Sequence, residues 1–256
     1  MPFLTHDGVS LHYTDEGRGA PLLFLHGLGG NTENWTLQRR HFAADRRVIA
    51  LDLPGHGRSD GREVPFRRYW EAIEALADRL AVERLAICGL SKGGRAGLMF
   101  AARRPGRVSH IALVNGFVRL APADRSARLA LYDLLLEPGG PALWAERLLT
   151  AMGVAPDSAI ARGFRRSLAH IDPLHIHRIF NELIAFDQRA ELAAVGCAAL
   201  LVRGARDAFV PAYCTPELHA LLARSSVADL PAQGHLPYLE DPPAFNALLA
   251  RFLASD

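Results

Sequence analysis

Lysine is almost missing from this chain. Of its 29 basic residues, 28 are arginine, and the single lysine is Lys92. Cysteine is scarce as well. Cys88, Cys197 and Cys214 are odd in number and widely spaced, which gives neither a disulfide framework nor a zinc site. There is no excess of either charge sign: 29 basic against 27 acidic residues leave a net charge of +2. A nucleic-acid or membrane-surface role built on electrostatics has no support in that balance. No apolar run reaches the length of a membrane span. Met1-Pro2-Phe3-Leu4-Thr5-His6-Asp7-Gly8 shows no basic segment followed by an apolar one, so no secretory signal is expected. Internal repeats and low-complexity tracts are absent too. A reduced, cytoplasmic protein is the expectation these absences leave.

What is present is enough for a sizeable core. The chain has 256 residues, half of them hydrophobic, which suits one α/β domain with an insertion. The most informative stretch is Gly89-Leu90-Ser91-Lys92-Gly93. It follows the apolar run Leu85-Ala86-Ile87-Cys88 and precedes a helical pattern reaching Arg103. A strand, a sharp turn and a helix with serine at the tip hold that serine in a strained, exposed conformation above the sheet edge. Glycine two residues to either side removes the β-carbons that would clash as strand and helix close on each other.

The remaining rhythm places this turn in a larger sheet. Phe3-Leu4-Thr5 and Val9 to Tyr13 read as an antiparallel hairpin around Asp7-Gly8. Leu22 to Leu25, Arg47 to Leu51 and Ile111 to Val114 are continuous apolar runs, as strands buried on both faces require. Tyr69, Ile73, Leu76 and Leu80 recur at helical spacing. Between 117 and 190 no strand pattern appears. Helices are expected near 124–136, 141–152, 157–169 and 173–186, punctuated by Pro122, Pro138, Pro141, Pro156 and Pro173. Strands then resume at Ala198 to Val202 and Ser226 to Leu230, with helices over 215–223 and 241–253. The expected fold is a doubly wound, mostly parallel eight-stranded α/β sheet. Residues 1–116 and 191–256 would form its core, and 117–190 a helical cap.

Ligands of such sheets bind beyond the carboxyl ends of the strands. The segments that follow those ends are His26-Gly27-Leu28-Gly29-Gly30, the Ser91 turn, Arg203-Gly204-Ala205-Arg206-Asp207 and Pro231-Ala232-Gln233-Gly234-His235. A serine, an aspartate and a histidine therefore lie on three loops at one sheet edge, in the order Ser91, Asp207, His235. Together with Asp52-Leu53-Pro54-Gly55-His56-Gly57-Arg58-Ser59, these segments resemble the α/β-hydrolase family along the whole chain. Within it the chain is similar to small carboxylesterases, enol-lactonases and pimeloyl-carrier-protein methyl ester esterases.

Ser91 needs a base within reach, and imidazole is the natural one near neutral pH. His235 is the candidate base, and Asp207 would orient it. The resemblance implies an oxyanion hole made by the backbone N–H groups of Leu28 and Lys92. It also implies a second possible acid position after Val114, but Asn115-Gly116 stands there, so Asp207 is preferred over it and over Asp52 or Asp60. The Lys92 ammonium would favour an acidic substrate if it faced the site. The expectation is that its stem packs in the turn and its charge reaches solvent. His26 is read as a structural hydrogen-bonding residue. His170, His175 and His177 lack metal-site spacing, and no phosphate-loop lysine follows Gly27-Leu28-Gly29-Gly30, so no metal and no cofactor is expected. Trp35, Trp144, Phe164, Phe180 and Leu136 are expected near the seam of cap and core, some of them lining an acyl pocket.

The expected function is that of a serine esterase or lactonase acting on a small molecule through an acyl-enzyme on Ser91. A carbon–carbon bond hydrolase on the same triad is the enzymatic alternative, with cofactor-free haloperoxidation as a side reaction. A ligand-binding receptor or scaffold with vestigial hydrolysis is the alternative from another class. Oligomeric state is silent in the sequence.

Overall fold

Apolar strands that alternate with amphipathic helices bury their surface only by forming a central sheet with helices on its faces. The computed structural model, which describes residues 2–167 and 170–255, shows this arrangement. Its eight strands are β1 (Phe3–His6), β2 (Val9–Glu16), β3 (Ala20–Leu25), β4 (Arg46–Leu51), β5 (Leu85–Leu90), β6 (Val108–Val114), β7 (Ala198–Gly204) and β8 (Ser225–Leu230). They lie in the order β1-β2-β4-β3-β5-β6-β7-β8. β1 and β2 form the antiparallel hairpin read from Asp7-Gly8, β2 pairs antiparallel with β4, and the other pairs are parallel.

The central strands explain the continuous apolar runs. Every residue of β5 is buried, as are the last four of β3 and of β4. Around the sheet are α1 (Thr36–Phe42), α2 (Tyr69–Arg79), α3 (Lys92–Arg103), α8 (Cys214–Leu221), the one-turn α9 (Pro237–Glu240) and α10 (Pro242–Leu253). α1 packs on α10, and α2 on α3. Sequence periodicity missed α1 because it is short and its buried residues, Gln38 and Phe42, include a polar one. Cys88 is a small buried residue of β5, as its apolar setting suggested.

Between β6 and β7 the chain makes helices α4 (Pro122–Asp133), α5 (Gly140–Ala151), α6 (Ala159–Ser167) and α7 (Pro173–Ala185). Proline occupies a first-turn position in α4, α5 and α7, where its missing N–H costs nothing. The expected third helix of this segment reached residue 169; its last two positions lie outside the described residues. The exit from α7 is pinned to α3 by Arg95. Its wholly buried guanidinium donates to Leu183 O at 2.7 Å, Phe186 O at 2.6 Å and Gln188 Oε1 at 3.0 Å. Among the described residues, no helix is long and apolar enough to cross a membrane.

Candidate active site

The turn at Ser91 is strained in the way its glycines announce. Ser91 has φ 46° and ψ −109°, a region that side chains seldom enter. A Cβ at Gly89 would run into the backbone of Gly94, and one at Gly93 into the carbonyls of Leu25 and His26. Only bare backbone lets β5 turn this sharply into α3 while β3 passes alongside.

His235 lies on the loop after β8, and Asp207 on the loop after β7. Their side chains meet, with His235 Nδ1–H donating to Asp207 Oδ2 at 2.6 Å. The other carboxylate oxygen of Asp207 accepts from Phe209 N at 2.8 Å and Val210 N at 3.2 Å, so the carboxylate is fixed from both ends. With Nδ1 committed to Asp207, Nε2 is the nitrogen left to accept a proton. No hydrogen bond joins Ser91 to His235, but both line one cavity of about 430 Å³. Catalytic hydrogen bonds are often long in a free enzyme and tighten with substrate.

The same cavity takes in Leu28 from the loop after β3. The N–H groups of Leu28 and Lys92 have no hydrogen-bond partner among the described residues. Free, rigidly held N–H groups beside a nucleophile are what a developing oxyanion requires. His26 sets the Leu28 loop. Its Nδ1–H donates to Gly27 O at 2.7 Å, and its Nε2 accepts from Leu53 N at 3.0 Å. Both ring nitrogens are thereby used, and burial pushes its pKa down to about 3. It is a structural hydrogen-bonding residue, as read from the sequence.

The expectation for Lys92 is overturned. Its side chain is wholly buried and does not line the cavity. The amine lies 3.0 Å from His56 Nε2 and 5.2 Å from the centre of the Tyr69 ring. The first turn of α3 points this side chain under the loop after β4, and no route to solvent exists for an all-buried stem. Burial holds the amine well below the ordinary lysine range and His56 well below that of histidine. Nor can this amine attract an acidic substrate, since it faces the interior.

The other candidates separate cleanly. Asp52 is tied to His12 Nδ1 at 2.7 Å, Thr32 N at 2.6 Å and Arg58 N at 2.9 Å, and does not line Ser91's cavity. Asp60 lies in the same loop and donates its N–H to Ser10 O at 2.8 Å. His175 packs on His56 with ring centres 5.0 Å apart, whereas His177 binds Asp133 at 2.9 Å. His170 borders a second, polar cavity of about 350 Å³ that shares Gly29, Gly30, Asn31 and Ser167 with the first.

Of the five aromatic and aliphatic residues expected at the seam, Phe164 lines the cavity that holds Ser91. Trp35 is instead stacked between Phe24 and Tyr238, with ring centres 4.9 Å and 4.1 Å away. Trp144 and Phe180 pack against Tyr132, and Leu136 is about half exposed. Sequence reasoning missed the residues that line the walls most directly, among them Tyr132, Leu148, Met152, Ile160 and Phe209. It also missed Asn115, whose amide donates to Gly234 O and His235 O, both at 3.0 Å. The only signal for it was the place of Asn115 at a strand end where the resemblance allows an acid.

The inserted helices reach this site directly. His235 N donates to Met152 O at 2.8 Å, and Ala208 N to Ala151 O at 2.9 Å. The C-terminal end of α5 is therefore seated on the loops that carry Asp207 and His235.

Comparison with known proteins agrees with this fold. Residues 20–152 match the family described as alpha/beta hydrolase fold. A Klebsiella pneumoniae protein that carries the name carbamate hydrolase RutD is 30% identical, over 93% of this chain and 92% of its own. A pimeloyl-[acyl-carrier protein] methyl ester esterase of Nitrosomonas europaea is 28% identical, over 93% of this chain and 97% of its own. The enol-lactonase from Burkholderia xenovorans superposes with a TM-score of 0.87 at 24% identity, over 99% of this chain and 100% of its own. That last likeness shows the fold alone.

Proposed function

This chain belongs to the alpha/beta hydrolase fold family, and from that premise we propose that it is a serine hydrolase cleaving uncharged carboxylic esters or lactones of small molecules. The observation that carries the reading is one cavity holding Ser91 and a His235 whose far nitrogen is bonded to Asp207 at 2.6 Å.

Ser91 Oγ attacks the substrate carbonyl carbon while His235 Nε2 takes its proton. Asp207 keeps Nδ1–H in place and balances the imidazolium. Charge moves to the carbonyl oxygen, which the N–H groups of Leu28 and Lys92 receive. The intermediate collapses, the carbon–oxygen bond to the leaving alcohol breaks, and His235 returns the proton to that alcohol. Water, deprotonated by His235, then attacks the acyl carbon. The acid departs and Ser91 recovers its proton. Every step uses groups of the chain itself. Residues 117–190 serve as a cap that roofs the acyl pocket.

The walls give the substrate its character. Leu28, Leu148, Met152, Ile160, Phe164 and Phe209 supply apolar surface, and no Lys, Arg, Asp or Glu lines this cavity among the described residues. A free carboxylate or ammonium on the acyl part would be stripped of water with no partner, at a cost of several kcal/mol. An uncharged carbamate ester presents the same carbonyl, and likeness to the Klebsiella relative makes it the second class of substrate to try.

The test is labelling by a fluorophosphonate together with release of p-nitrophenol from esters of graded acyl length and charge. Wild-type protein should be labelled, prefer neutral acyl groups and lose at least about a thousandfold in turnover as S91A. Near-wild-type turnover by S91A would remove Ser91 from the reaction. Preference for a carboxylate-bearing acyl group would overturn the substrate class.

A further inference from the structure

We propose that Asn115 is the positioning residue that keeps the base and its acid in register with the nucleophile. The proposal rests on the hydrolase reading of Ser91, Asp207 and His235.

Asn115 directly follows β6, which is neighbour to both β5 and β7 in the sheet. It is buried, and its φ of 45° lies in the left-handed region, where asparagine is among the few tolerated side chains. Its side chain makes three hydrogen bonds. Nδ2 donates to Gly234 O and to His235 O, each at 3.0 Å. Oδ1 accepts from Gly204 N at 2.9 Å. Gly204 ends β7, and its carbonyl accepts from Asp207 N at 3.1 Å. One amide thus grips the loop of the base by its carbonyls and the loop of the acid by its first N–H.

The backbone at the same point holds the nucleophile. Ser91 N donates to Val114 O at 2.9 Å, and Asn115 N to Val202 O at 2.8 Å. The elements that lead to Ser91, Asp207 and His235 are therefore referenced to two consecutive residues at the end of β6, Val114 for the nucleophile and Asn115 for the acid and the base. Two backbone bonds also join the loops of acid and base, Arg206 N to Gln233 O at 2.9 Å and Ala205 N to Leu230 O at 3.0 Å, but neither reaches the strand that carries Ser91. The supports from neighbouring helices reach neither strand. Glu240 receives the N–H groups of Gly234 and Leu236 at 2.7 Å and 3.0 Å, and Met152 O receives that of His235. They brace the loop of the base against α9 and α5, not against the strands that carry the serine and the acid.

The residue type is dictated by the count. Two carbonyls and one N–H must be met by a short side chain with two donors and an acceptor, and only a primary amide offers that set. A carboxylate would turn an oxygen toward two carbonyl oxygens. This gives a physical reason for the amide at a strand end where the resemblance allows an acid.

N115G and N115D test the proposal. Glycine accepts the left-handed backbone without strain, so N115G removes the three side-chain bonds alone. Aspartate keeps the shape and reverses the donor. Turnover of a p-nitrophenyl ester, its KM, the rate of fluorophosphonate labelling and thermal melting should be measured for both, beside S91A. On the folded fraction, N115G should lose between ~10- and 100-fold in kcat, the scale of a misplaced catalytic group, with KM within about threefold. N115D should lose at least as much at neutral pH. Labelling should slow in parallel, because it draws on the same activated serine. A merely structural asparagine would lower the melting temperature and leave kcat per folded molecule and the labelling rate within about threefold of wild type. That result overturns the proposal, as would failure of both variants to fold, which would assign Asn115 to the architecture. Full turnover by S91A is a different failure, since it strikes the hydrolase reading itself.

Discussion

Among the described residues, two buried imidazole–carboxylate pairs have nearly equal geometry. His235 and Asp207 are 2.6 Å apart, and His12 and Asp52 are 2.7 Å apart. Only their surroundings differ. His235 opens on a cavity that also holds Ser91, on a loop braced by the inserted helix α5. His12 lies inside β2, its second ring nitrogen buried and unpartnered among the described residues. Asp52 spends its remaining capacity on the N–H groups of Thr32 and Arg58, which staples the loops after β3 and β4 together. His12 and Asp52 also border a cavity, the second one of about 350 Å³, so the difference between the pairs is that the free ring nitrogen of His12 is buried while His235 shares its cavity with Ser91.

Mutating each pair breaks the comparison most sharply. D207N should reduce kcat by about 10⁴-fold through the wrong imidazole tautomer, with little change in melting, as read by esterase assay and calorimetry. D52A should do the reverse. It leaves the Thr32 N–H and the His12 imidazole unpaired in the interior, at about 1–3 kcal/mol for each, while kcat per folded molecule stays within a few-fold of wild type. A D52A protein that is stable but inactive would erase the distinction.

A third buried cluster sharpens it further. Among the described residues the side chains of Lys92, His56, His175 and His26 make no hydrogen bond to a carboxylate, and burial lowers the pKa of each. The unfolded chain protonates Lys92 below its ordinary value of about 10.4, and burial makes the folded chain take up that proton only at lower pH. The unfolded state thus binds the extra proton, and stability rises with pH across that range. K92M should raise stability at pH 7 by about 1–3 kcal/mol and flatten that rise, in urea titrations at several pH values. Esterase activity should persist, since position 92 would act through its backbone N–H.

The smallest effect is on the acid side. His175 takes its proton only at about pH 4 and His26 at about pH 3. An unfolded histidine does so near 6.5. Both groups therefore contribute stability that is present above about pH 6.5 and is lost as pH falls toward 4. H175Q should lessen the loss between pH 6 and 4 relative to wild type. An unchanged slope would remove His175 from the account.

Much of this was readable along the chain. The eight strands, the helical segment between β6 and β7, and the three loops bearing Ser91, Asp207 and His235 are marked by apolar runs, glycines and prolines with local causes. Lys92 was misread because a lysine beside a nucleophile carries no mark of which way the helix turns it. Tyr132, Met152 and Phe209 escaped because a cavity wall is drawn from distant segments, and periodicity reports burial without saying against what. Asn115 was noticed only as a missing acid, since its partners lie 89, 119 and 120 residues further on.

The sequence by itself determined the kind of sheet, the strained turn and the candidates for the reacting groups, because backbone sterics and side-chain chemistry act over a few residues. Tertiary structure alone decided which histidine meets which aspartate beside a cavity, that the lone lysine is buried, and that one asparagine ties the end of β7 to the loop after β8. Those outcomes depend on distances across the fold and on the removal of water, and neither is written in the order of residues.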